Sequence, residues 1–313
     1  MKPPRRTVHC LALSLCLLAS TAAAQAAHRP QQRAPYVFKA NVGEVLVHAT
    51  VVNKKNGAPV IDLPESDFTV YENGVPQHVQ FFSHEDAPVS VGILIDNSGS
   101  MVDSRPAVNR AAINFVKASN PQDEEFVVNF NDEYYLDASF TDSIPKLEDA
   151  LEHIESRGGT ALYDATIASL DYINNNAHNE KHVLLVVTDG DDDASRYTLE
   201  QTVHLLQAKN SPLIYCIGIL DHDDSHSMKK TAERALIALA SATGGAAYFP
   251  KNLKQVNATT LAVAQEIRSQ YTFAYHSNQT GTGFRTIRIE VKDEHQKHLD
   301  VRARKGYYST SAH

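Results

Sequence analysis

Four short apolar runs, at 89–95, 125–130, 183–188 and 213–220, alternate with stretches of helical periodicity near 104–118, 145–156, 161–176, 198–209, 228–242 and 254–269. This alternation limits the fold more than any other feature of the chain. A strand buried on both faces reads as a continuous apolar run, because helices cover both sides of its sheet. Within 228–242, Ala232, Ala235, Leu236, Leu239 and Ala240 fall on one helical face, and Gly244-Gly245 supplies the stop. The expected core is a doubly wound, mostly parallel α/β sheet of Rossmann-like form.

The flanks have a different period. Val45, Val47, Ala49 and Val51 alternate with other residues, as on a half-buried strand, and Asn56-Gly57 and Asn73-Gly74 are hairpin-turn dipeptides. About four strands are expected between 42 and 83, and three more at 271–276, 286–291 and 299–304. Three strands alone rarely make a stable unit. The expectation is therefore a smaller β-sandwich built jointly from the N- and C-terminal strands, with the α/β region inserted between them. The boundaries that follow are 42–87 and 271–308 for the sandwich segments and 88–270 for the inserted domain, with a tail at 309–313.

In such sheets ligands bind beyond the carboxyl ends of the strands. The first run leads into Asp96-Asn97-Ser98-Gly99-Ser100, one carboxylate and two hydroxyls within a single turn. All are hard oxygen donors, suited to Mg²⁺ or Mn²⁺. Three donors cannot complete an octahedral shell, so further oxygens must return to this point. Candidates stand at Gly158-Gly159-Thr160 and at Thr188-Asp189-Gly190.

These three pieces, in this order, resemble the von Willebrand factor A family and its metal-ion-dependent adhesion site. The resemblance covers roughly 88–270. It implies that Asp96, Ser98, Ser100, Thr160 and Asp189 are the metal-site residues. It also implies that the hydroxyls bind the ion directly and that one or both aspartates act through water. The last position would be left to water or to an acidic side chain of a partner. The flanks resemble a bacterial family of secreted proteins related to the same domain, through Pro59-Val60-Ile61-Asp62-Leu63, the stretch from Asp67 to Gly74, and Arg304-Lys305-Gly306-Tyr307-Tyr308. That second likeness implies no common biochemical activity.

Residues 1–26 read as a signal peptide, with Lys2, Arg5 and Arg6, an apolar core over 8–18, and the small-residue site Ala24-Gln25-Ala26. A polar, Pro-rich leader follows over 27–41. The apolar core is too short to span a bilayer, and no later run reaches the necessary length. The mature chain is thus expected to be exported, periplasmic or extracellular, without stable membrane insertion. Cys216 is the only cysteine outside the signal segment and sits in an apolar run, so it is expected in the core. The net charge of −8 becomes more negative once the basic signal residues are lost. An acidic surface repels phosphate backbones, which argues against nucleic-acid binding.

Other loops join the expected metal face. Tyr134 and Tyr135, in an acidic loop at 131–135, are candidates for partner contact or for a pair packed on the rim. The run 191–193 is expected to be a solvated loop, with Asp191 as a possible contact. His222 and His226, in a loop before a helix, are further candidate contacts. No nucleophile-elbow, phosphate-loop or zincin motif occurs, so no enzyme is expected. The function expected is an exported adhesion module in which Mg²⁺ or Mn²⁺, with Ca²⁺ a poorer fit, bridges to an Asp or Glu of a protein partner. The alternatives are an envelope component with a purely stabilising metal and a metal-dependent hydrolase. The sequence leaves oligomeric state open.

Overall fold

A computed structural model describes residues 44–152, 156–190, 192–208, 210–220, 226–292 and 298–309. The signal segment 1–26, the leader 27–41 and most of the tail expected at 309–313 lie outside the described residues, as do Asp191 and His222.

The N-terminal flank forms β1 (Glu44–Asn53), β2 (Phe68–Glu72), β3 (Val75–Pro76) and β4 (Val79–Ser83). The middle of the chain gives β5 (Val89–Asp96), α1 (Arg105–Ala118), β6 (Glu124–Phe130), β7 (Tyr134–Thr141), α2 (Ile144–Glu152) and α3 (Leu162–Asn176). It continues with β8 (Lys181–Thr188), α4 (Leu199–Leu206), β9 (Leu213–Gly218), α5 (His226–Thr243), β10 (Ala247–Tyr248) and α6 (Leu253–Arg268). The C-terminal flank adds β11 (Tyr271–His276), β12 (Gly283–Val291), β13 (Leu299–Ala303) and β14 (Gly306–Ser309).

The central sheet has the order β10-β9-β8-β5-β6-β7. Its strands are parallel except β7, which runs antiparallel to β6. β5 is buried along its whole length because both faces are covered. Val89, Val91, Ile93 and Ile95 pack under α1, α2 and α6, and Leu94 packs under α3, α4 and α5. The chain leaves β5 toward β6 on one side and returns through β8 on the other. The crevice beyond Asp96 is therefore the switch point of the sheet.

The flanking strands form two antiparallel sheets, β13-β1-β11-β4 and β14-β12-β2-β3. Their inner faces share one core of Val45, Val47, Val51, Phe68, Val70, Phe273, Ile287 and Tyr307, among others. Asn73-Gly74 makes the β2–β3 hairpin with both residues at positive φ, 49° and 77°. Asn56-Gly57 turns the chain after β1 but does not pair β1 with β2, which lie in different sheets.

The sandwich is joined to the α/β domain by buried polar contacts. Glu266 of α6 accepts hydrogen bonds from Tyr215 (3.0 Å), Tyr248 (2.5 Å) and, across the join, Arg302 of β13 (2.6 Å). Arg304 donates to the Ala208 carbonyl at 2.7 Å, and the Tyr308 N–H donates to the Gln207 carbonyl at 2.8 Å. The closing Arg-Lys-Gly-Tyr-Tyr segment thus anchors one domain to the other.

Three strands were not anticipated from the sequence, β7, β10 and β14, and all three lie at sheet edges. β10 and β14 are too short to show an alternation of side chains, with two and four residues, and in β7 only Ala138 is buried.

Glu125, at the amino end of β6, is a buried acid whose carboxyl is pushed up to about 8, first by burial and then by Asp123. Its folded pKa lies above the unfolded value, so its effect is neutral while both states are protonated. The penalty grows as pH rises through the window from the ordinary Glu value to about 8. Glu125→Gln is expected to gain on the order of 4–5 kcal/mol on wild type between acid and pH 9 in urea unfolding. A difference that does not change with pH would contradict this.

Candidate metal site

β5 and β8 are neighbours, so Asp96 and Thr188 end side by side. The Thr188 hydroxyl donates to Asp96 Oδ2 at 2.5 Å, and the Ser98 N–H donates to Asp96 Oδ1 at 2.8 Å. Ser98 Oγ and Ser100 Oγ are 3.0 Å apart, and Ser100 Oγ donates to Asp189 Oδ1 at 2.9 Å. Thr160 Oγ1 faces Gly190, where a Cβ would stand 3.5 Å from it. All five side chains singled out in the sequence are therefore gathered at one end of β5 and β8.

Three loops supply them, and each is tied to the other two. The Gly99 N–H donates to the Gly158 carbonyl (3.0 Å) and the Arg157 N–H to the Asn97 carbonyl (2.8 Å). Ser100 reaches Asp189 as described. The Asp193 and Ala194 N–H groups donate to the Thr160 carbonyl at 3.1 and 3.2 Å. The loops hold one another through backbone as well as side chains.

Two further carboxylates clasp the Thr160 loop. Asp132 Oδ1 accepts from the Gly159 N–H and Asp193 Oδ1 from the Thr160 N–H, each at 2.7 Å. These contacts explain the Gly158-Gly159 pair. Gly158 has φ +77°, and a Cβ there would sit 2.0 Å from Asp132 Oδ2. A Cβ on Gly159 would sit 2.6 Å from Asp193 Oδ1. Asp192 accepts from the Tyr163 N–H at 2.9 Å and from the Ser195 hydroxyl, which fixes the start of α3.

The expectation of a merely solvated run at 191–193 is thus corrected for Asp192 and Asp193. Sequence missed them, and Asp132, because a bond to a distant backbone N–H leaves no local pattern.

Asp96, Ser98, Thr160 and Asp189 are buried, whereas Ser100 is exposed. The site has a dry floor and one open side. Burial raises the Asp96 carboxyl above its ordinary value, against the pull of the Thr188 and Ser98 bonds and of Arg105. A desolvated carboxylate of this kind is favoured by a nearby positive charge.

The donors fit a small divalent ion. Two ligands at about 2.1 Å on adjacent corners of an octahedron stand about 3.0 Å apart. The Ser98–Ser100 and Ser100–Asp189 oxygens, which hydrogen-bond at 3.0 and 2.9 Å, are close enough together to serve as neighbouring ligands of one ion. Among the described residues no group of three or more His, Cys, Asp or Glu forms a rival site.

Tyr134 and Tyr135 do not lie in a loop. They begin edge strand β7, paired with Phe130 and Asn129, because the chain reverses tightly at 131–133. Neither packs on a rim: they are 50% and 43% exposed, and the Tyr135 hydroxyl donates to Glu133. His226 also lies outside a loop, opening α5 with its side chain exposed.

Residues 91–191 match the sequence profile of the von Willebrand factor type A domain. This chain carries a von Willebrand factor type A domain. Solved structures share the fold. A von Willebrand factor type A protein from Catenulispora acidiphila aligns with TM-score 0.50 and 12% identity, over 84% of this chain and 73% of that one. Proximal thread matrix protein 1 from the mussel byssus aligns with TM-score 0.50 and 17% identity. That alignment covers 63% of this chain and about half (51%) of the mussel protein. The mussel protein has also been solved with a zinc-occupied MIDAS motif, and that structure aligns with TM-score 0.50. No curated protein matches the chain.

The clasp on Thr160 is testable. Asp193→Ala is expected to weaken Mn²⁺ binding about tenfold or more in calorimetric titration, with little change in melting temperature. Unchanged affinity would show that the Thr160 loop needs no such support.

Proposed function

We propose that this chain is an exported protein-binding module whose von Willebrand factor A domain holds a divalent ion and presents it to an acidic residue of a partner. The observation that carries the reading is the convergence of Asp96, Ser98, Ser100, Thr160 and Asp189 around a point closed below and open at Ser100. The two aspartates and three hydroxyls would hold the ion. When bound, it supplies an electrophilic centre with a position left for an anionic ligand.

Two carboxylates against a doubly charged ion leave no excess of negative charge to satisfy it. A partner Asp or Glu then gains more than water does. The small, hydroxyl-rich donor set favours Mg²⁺ or Mn²⁺ over the larger Ca²⁺. The zinc found in the mussel protein's motif makes Zn²⁺ a useful comparison ion.

The exposure of Tyr134 and Tyr135 supports a part for them in the contact. They stand exposed at the start of β7, one residue beyond Glu133 and close in sequence to Asp132, whose carboxylate touches the Thr160 loop. Exposed aromatic side chains beside a polar centre suit a protein partner. The role requires no bond to be made or broken, so the reading is not enzymatic.

Export rests on the signal-like residues 1–26. It agrees with the finding that no helix among the described residues is long and apolar enough to cross a membrane.

A pull-down from envelope and culture fractions tests the proposal, using residues 27–313 in Mg²⁺, in EDTA and as Asp189→Ala. A partner retained only by wild type in Mg²⁺ is the expected result. The same partner retained in all three would move binding to other surfaces and leave the ion a stabilising role.

A further inference from the structure

Arg105 is a buried cation beside the metal site with too few partners. It opens α1, one short 3₁₀ turn (Gly99–Asp103) after the Asp-x-Ser-x-Ser loop, and is 6% exposed. Its Nη2 donates to Asn129 Oδ1 at 3.0 Å. Asn129 pairs in register with Ile95, the residue before Asp96. Nε and Nη1 are buried and meet no hydrogen-bond partner among the described residues. A buried guanidinium normally ends in a carboxylate fork. Among the described residues the guanidinium is bonded to a neutral amide alone.

The charge is present at neutral pH, because burial lowers the guanidinium only to about 10. The carboxylates that offset it are Asp96 first and Asp137 second. Arg105 in turn pulls the Asp96 carboxyl down, against the effect of burial. Asn129 joins this group to the rest of the fold, donating to Asp137 at 2.8 Å and to the Ala150 carbonyl at 3.1 Å. The Arg105 guanidinium, at the start of α1, thus touches Asn129 of β6 and lies within electrostatic reach of Asp96 at the end of β5 and of Asp137 in β7.

A fixed positive charge at this place favours Asp96 without an ion and repels an ion that arrives. Buried charges are little screened, so the repulsion persists in salt.

We propose that Arg105 is an internal cation that competes with the divalent ion for Asp96 and so weakens ion binding in the absence of a partner. This rests on the metal reading above. Its consequence is coupling. An ion held loosely by the protein alone gains most when a partner's carboxylate joins it, and each then strengthens the other. A purely structural Arg105 would only tie α1 to β6, and its charge would not matter to the ion.

The test is calorimetric titration of residues 27–313 with MnCl₂ for wild type, Arg105→Met, Arg105→Lys, Arg105→Gln and Asp189→Ala. Arg105→Met is expected to bind Mn²⁺ about tenfold more tightly. Arg105→Lys, which keeps the charge, is expected to stay near wild type. Arg105→Gln removes the charge but keeps a side-chain N–H donor for Asn129 Oδ1, so it too should bind more tightly. It carries the test if thermal melts show Arg105→Met unfolded. Unchanged or weaker binding by Arg105→Met and Arg105→Gln overturns the proposal. If wild type binds Mn²⁺ and Asp189→Ala does not, that failure belongs to the Arg105 inference alone. If wild type and Asp189→Ala give the same null titration, the metal reading falls and this inference with it.

Discussion

The hydrogen bond from Thr188 to Asp96 ties the carboxyl end of β8 to that of β5, and the site depends on that junction. Only at a switch point do two adjacent parallel strands send their chains away in opposite directions and leave a crevice between them. The crevice is lined by strand ends whose backbone is fixed by the ladder. Asp96 and Asp189 are therefore placed by the most rigid part of the domain. Ser98, Ser100 and Thr160 come from turns, and those turns are held by bonds to one another. Burial then makes the floor dry enough that the two carboxylates gain from a cation.

The remainder of the molecule supports this end without intruding on it. Helices on both faces complete the apolar cover that a parallel sheet requires. The sandwich grips the ends of α4 and α6 and the β10 edge through Glu266, Arg302, Arg304 and Tyr308. A buried ion pair of this sort adds little net stability but penalises any arrangement that separates its members. The two domains consequently present a fixed relation, with the loops beyond β5 and β8 left to face a ligand.

How much of this was legible in the sequence follows from the range of each interaction. The buried strands were visible because apolar runs report burial on both faces, and β5 is covered from end to end. The five metal-site residues were visible because each belongs to a short motif at a strand end or helix start. β7 and β10 were not, because edge strands are covered on few sides and carry little apolar signal. The clasp by Asp132 and Asp193 was hidden for another reason. Each holds backbone more than twenty residues away, and nothing local distinguishes such an aspartate from a solvated one. Arg105 was hidden likewise, since at the start of a helix it reads as an ordinary surface residue.

The central claim is that these oxygens enclose one small divalent ion. Crystals of residues 27–313 grown with MnCl₂ would test it most directly, through the anomalous signal of manganese. The account predicts one strong peak bounded by Ser98 Oγ and Ser100 Oγ, near Thr160 and Asp189, lost in Asp189→Ala. No peak there in well-ordered crystals, or an equal peak in the mutant, would contradict it.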